Sequence, residues 1–115
     1  MKLINKGATE VNNNIYTVDF KDVKQYEEIH GALKRGLNFP YYYGGNLDAL
    51  WDCLTDSIDN DDVIILKNYQ FVEKADKEYA DDILRIFKRT KHYANDAFAG
   101  ARIIVERDGI ETEIE

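Results

Sequence analysis

The chain has 115 residues, with 15 Lys and Arg against 22 Asp and Glu, a formal net charge of −7, and 44% hydrophobic content. That length supports a single domain, residues 1–115, and the composition excludes a wholly disordered chain; the longest apolar run, Val63-Ile64-Ile65-Leu66, is far short of the roughly 20 residues of a membrane span. The acidic balance repels nucleic acid and anionic membranes, Met1-Lys2 leads into no signal-peptide core, and the single cysteine, Cys53, excludes an internal disulfide or a cysteine-built zinc site, so a soluble cytoplasmic protein with a basic partner is expected.

Residues 14–20, Asn-Ile-Tyr-Thr-Val-Asp-Phe, alternate apolar and polar side chains and predict a half-buried strand, with Leu3-Ile4 a candidate to pair with it. From Asp22 to Arg35 the spacing of Val23, Tyr26, Ile29, Ala32 and Leu33 predicts an amphipathic helix, with Gly36 as its stop. Phe39 to Gly45, rich in tyrosine and glycine around Pro40, reads as a loop. Residues 46–58 follow as a second helix capped by Asn46, then a short strand at Val63–Leu66. A connector from Lys67 to about Lys74 leads to a third main helix over roughly 76–93, in which Tyr79, Ile83, Ile86 and Phe87 carry the core spacing. Arg102–Arg107, centred on Ile103-Ile104-Val105, is the last predicted strand. The order strand, helix, helix, strand, helix, strand predicts a small parallel α/β sheet.

The charge is unevenly placed. Between Arg35 and Lys67 there is no Lys, Arg or His, yet the stretch holds Asp48, Asp52, Asp56, Asp59, Asp61 and Asp62. At about 100° per residue the first four of these fall on one stripe of the 46–58 helix, while Leu47, Leu50, Leu54 and Ile58 fall on a separate, core-facing arc with Trp51 at its edge. Like charges at this spacing repel one another, so nothing local selects the pattern beyond a dipole benefit to Asp48 in the first turn. With a tyrosine-rich loop immediately before it, the stripe points to a binding face rather than to a merely solvated one.

The run Pro40-Tyr41-Tyr42-Tyr43-Gly44-Gly45-Asn46-Leu47-Asp48-Ala49-Leu50-Trp51-Asp52-Cys53-Leu54-Thr55 resembles the signature loop and helix of the barstar family of ribonuclease inhibitors. The resemblance extends more weakly from about Tyr16 to Val105 and leaves residues 1–13 and 108–115 uncovered. It implies a three-stranded parallel sheet packed with helices, and an intracellular inhibitor that plugs the active site of a secreted microbial ribonuclease. By position, Tyr42, Gly44, Asn46, Asp48, Trp51, Asp52 and Thr55 match family contacts to the nuclease, Asp52 being the acid that enters the substrate phosphate site. A carboxylate on a rigid helix can accept charge-assisted bonds from the cations a ribonuclease keeps for phosphate. Two positions depart from the pattern: Arg89 stands where the family has an acid near the end of the third main helix, and Ser57 where it has a second tryptophan.

No enzyme is expected. His30 and His92 have no nucleophile motif beside them, Gly44-Gly45 lacks the lysine and hydroxyl of a phosphate loop, and the acids around Cys53 oppose a thiolate. The run 56–62 lacks the central glycine and closing glutamate of a calcium loop, so no metal or other cofactor is expected. Two classes remain: an inhibitor of a basic secreted ribonuclease or related nuclease toxin, and an acidic adaptor or immunity protein that binds another basic protein. Neither binds nucleic acid or membrane directly.

Overall fold

A computed structural model of the protein describes residues 14–59, 61–92 and 101–115. In chain order its elements are β1 (Ile15–Asp19), α1 (Tyr26–Leu37), α2 (Leu47–Ser57), β2 (Val63–Lys67), α3 (Gln70–Ala75), α4 (Lys77–Lys91), β3 (Arg102–Arg107) and β4 (Ile110–Ile114). β1, β2 and β3 run parallel, with Ile15 opposite Val63 and Ile64 opposite Ile103, and β4 adds to β3 antiparallel, with Ile103 opposite Ile114. The sheet is therefore four-stranded and mixed, where three parallel strands were expected. The suggested pairing of Leu3-Ile4 and the predicted helix end at residue 93 lie outside the described residues.

Alternation fixes which face of the sheet is covered. Val18, Ile64, Leu66, Ile103 and Val105 are buried on the helix side, against Ile29 and Leu33 of α1, Leu50 and Leu54 of α2, and Ile83 and Phe87 of α4. α1 lies on β1, and α2 packs on α4. Asp76 caps α4 by accepting the Tyr79 amide at 3.0 Å, and the expected Ile83, Ile86 and Phe87 face the core from that helix.

The boundaries of α1 differ from the prediction at both ends. Asp22 sits at φ 66°, which the helix cannot use, and the Glu28 carboxylate accepts the amides of Lys24 and Gln25 at 2.8 and 3.1 Å, so the helix starts at Tyr26. At the other end Gly36 is helical, and Asn38 takes the left-handed stop at φ 57°. Gly36 has a different reason to be glycine: a Cβ there would lie 2.7 Å from the Thr17 carbonyl oxygen and 2.8 Å from the Val18 Cα. α1 thus approaches β1 backbone to backbone. Gly36→Ala is expected to lower stability by about 1–3 kcal/mol, read from the urea midpoint, because neither backbone can step aside cheaply.

Two elements occupy segments predicted as connector or tail. α3 is a six-residue helix entered through Asn68, at φ 60°, and Tyr69, whose fully buried hydroxyl donates to the Ala80 carbonyl at 2.7 Å. β4 follows a tight turn in which Asp108 and Gly109 both take positive φ, 52° and 87°, as a two-residue hairpin turn requires. Among the described residues no helix is long and apolar enough to cross a membrane.

Candidate partner-binding site

The loop before α2 is held from below. Tyr43 closes a turn by donating its amide to the Pro40 carbonyl at 3.0 Å, and its ring packs 4.9 Å from that of buried Phe39. Its hydroxyl lies 2.6 Å from Nδ1 of His30, and Nε2 of the same imidazole lies 2.6 Å from the Tyr79 hydroxyl. His30 is 4% exposed, so α1 and α4 grip the loop through one buried imidazole. A neutral ring supplies one acceptor and one donor, which matches two hydroxyls that can each donate or accept. With Tyr43 anchored, Tyr41 and Tyr42 stand 88% and 72% exposed, their rings edge to face at 5.5 Å.

Burial pushes the His30 pKa below its ordinary value and the Tyr43 pKa well above its own. An unfolded imidazole protonates near pH 6.5. As pH falls the unfolded chain takes up that proton first, so stability is full above about 6.5 and is lost from there down until folded His30 also protonates. Urea unfolding of wild type between about pH 7.5 and 5 should therefore show a decline that His30→Gln flattens; equal slopes would mean that His30 is not the titrating group. The carboxylates of Asp19, Asp76, Glu106 and Glu113, held low first by their hydrogen bonds, lose their share only at more acid pH.

Gly45, at φ 68°, turns the chain into α2, and Asn46 caps the helix by accepting the Ala49 amide at 2.8 Å. Gly44 is not in the left-handed region, and a Cβ there would meet only ordinary contacts at 3.5 Å and beyond. The free fold therefore does not require glycine at 44. A bare backbone there suits the close approach of another molecule.

On α2 the predicted division of faces is present. Leu50 and Leu54 are buried, Leu47 and Trp51 are half-buried, and Asp48, Asp52 and Asp56 are exposed along one side. The helix ends at Ser57, with Ile58 extended, so Asp59 lies past the end rather than on the stripe. Asp62 leaves the acidic surface altogether. It is fully buried, and its carboxylate accepts the amides of Asn14 at 2.9 Å and Asp59 at 2.8 Å. The Thr55 hydroxyl is turned onto its own helix, toward the carbonyls of Trp51 and Asp52 at 2.9 and 3.1 Å. Cys53 is only partly buried, and burial followed by the charges of Asp52 and Asp56 raises its pKa, which keeps it a thiol.

Between α2 and α4 runs a groove of about 320 Å³ lined by Leu47, Asp48, Trp51, Asp82, Arg85, Ile86 and Arg89. Arg85 is paired with Asp82 one turn back on α4, and the Arg89 guanidinium lies over the Trp51 ring, 4.8 Å from its centroid. The acidic face of α2 is thus continued across the groove by a rim of mixed charge. The sequence placed Arg89 only by alignment; its stack on an indole 38 positions earlier in the chain has no local signature.

The family model described as Barstar (barnase inhibitor) matches residues 13–106, from β1 through most of β3. The chain belongs to the barstar family. Among curated proteins it is 42% identical over 89 residues to "Putative ribonuclease inhibitor YrdF" of Bacillus subtilis (strain 168), an alignment that covers 77% of this chain and 94% of that protein. All seven candidate residues, Tyr42, Gly44, Asn46, Asp48, Trp51, Asp52 and Thr55, fall inside the barstar-family match, whereas β4 lies beyond it. In this chain β4 forms the antiparallel edge of the sheet, beside β3.

Proposed function

We propose that this barstar-family protein is a non-catalytic inhibitor of a basic secreted ribonuclease, which it plugs with the face formed by the tyrosine loop and α2. The observation that carries the reading is the juxtaposition of Asp48 and Asp52, exposed at one-turn spacing on a capped helix, with exposed Tyr42 and half-buried Trp51. A ribonuclease active site offers fixed cations for a substrate phosphate. Two carboxylates one turn apart supply matching charge without a scissile bond, and the rings supply stacking area that excludes water. Asp52 is assigned the phosphate position and Asp48 a second cation; Tyr42 and Trp51 frame them, Gly44 lets the partner's backbone approach, and Asn46 and Thr55 lie at the two ends of the patch. No cofactor takes part, and binding to RNA itself is not part of the role.

The test is an RNA-cleavage assay with barnase and with each small secreted ribonuclease that the genome carrying this gene encodes. Added protein should abolish cleavage by at least one of them at equimolar ratio. Full cleavage by all of them in the presence of excess protein would contradict the reading.

A further inference from the structure

We infer that Arg89 is a specificity contact, and that the ribonuclease this protein fits presents a carboxylate to it beside the cations taken by Asp48 and Asp52. The inference rests on the inhibitor reading above and concerns the partner's surface. Asp48 and Trp51 belong to the proposed contact face and also line the groove with Arg89, so a partner seated on that face reaches the α4 rim. The two arginines of the rim differ. Arg85 is neutralised by Asp82, whereas Arg89 makes no ion pair among the described residues and is held over the Trp51 ring at 4.8 Å. A guanidinium can stack on an aromatic face and still offer its in-plane N–H groups to a carboxylate. An exposed cation inside the footprint of a basic partner is repelled unless the partner matches it, and such a mismatch excludes the wrong partners as effectively as a match selects the right one.

The probe is whichever of the ribonucleases in that cleavage assay the protein inhibits most strongly, catalytically inactivated, with Trp51, the one tryptophan of the chain, as fluorescence reporter. Arg89→Glu is expected to weaken binding roughly 30-fold or more, and Arg89→Gln less, while melting temperatures fall only by the modest cost of losing the Trp51 stack and a favourable charge in the last turn of α4, so that both variants remain folded at the temperature of the binding assay. Among probe variants in which each acid around the active site is changed to lysine, one should lose affinity for wild type and regain it with Arg89→Glu. Unchanged or tighter binding by Arg89→Glu, while Asp52→Ala still weakens it, would overturn the inference and leave the inhibitor reading standing. Absence of wild-type binding to the probe would remove both.

Discussion

Asp52→Ala is expected to weaken ribonuclease binding by about 2–5 kcal/mol while leaving the urea midpoint of the free protein nearly unchanged. The side chain is exposed, and its helix is capped by Asn46 and packed through Leu50 and Leu54, none of which needs the carboxylate. In a complex, the same group would be taken out of water against the partner's cations, and truncation would leave those cations buried and unmatched. Asp59→Ala makes the internal control. Asp59 lies past the end of α2, and its fold contacts run through its backbone, so its side chain should matter far less. Isothermal titration of both variants against the inhibited ribonuclease decides the matter. An Asp59→Ala loss equal to that of Asp52→Ala would mean that the contact face is centred elsewhere.

The second large effect is on the fold. Asp62 joins three parts of the chain: its carboxylate accepts the amides of Asn14 at the entry to β1 and Asp59 at the exit from α2, and its carbonyl accepts the Arg102 amide at the start of β3. Asp62→Ala strips the acceptor from two amides at a fully buried position, each costing about 1–3 kcal/mol if left unsatisfied, so a total loss of about 2–5 kcal/mol is expected. Asp62→Asn keeps one acceptor oxygen and should fall between. The folded fraction of either variant should bind the ribonuclease as wild type does. Denaturant curves check the stability, and a loss below about 1 kcal/mol would show that water reaches those amides.

These two aspartates mark the reach of sequence reasoning. Both stand in one charge run, and periodicity handles only the one on a regular helix: 3.6-residue geometry places Asp52 opposite Leu50 and Leu54, but nothing in a run of acids shows that Asp62 folds back to receive two amides. For His30 the sequence showed only that no nucleophile motif stands beside it; its partners Tyr43 and Tyr79 are 13 and 49 residues away, and no local pattern joins them. α3 escaped notice because six residues complete too few turns for a hydrophobic period, and its anchor is the buried tyrosine before it. β4 was legible in principle. Asp108-Gly109 followed by Ile-Glu-Thr-Glu-Ile is a hairpin signal, but it falls where the family resemblance stops. The start of α1 was misplaced because Val23 is buried, as a helical position would be, while belonging to the turn before it. The loop and α2 were the most legible part, since a contiguous motif and a helical period agree there.

The central claim, that the α2 face plugs an active site, is tested most directly by displacement. The inhibited ribonuclease is first saturated with a fluorescent, non-cleavable mononucleotide held in its phosphate site, and the protein is then titrated in. Release of the nucleotide in step with complex formation, shifted to roughly 30-fold or more higher protein concentration in Asp52→Ala, is the expected result. A ternary complex in which the nucleotide stays bound would contradict the claim and make the protein an acidic adaptor that docks outside the catalytic centre.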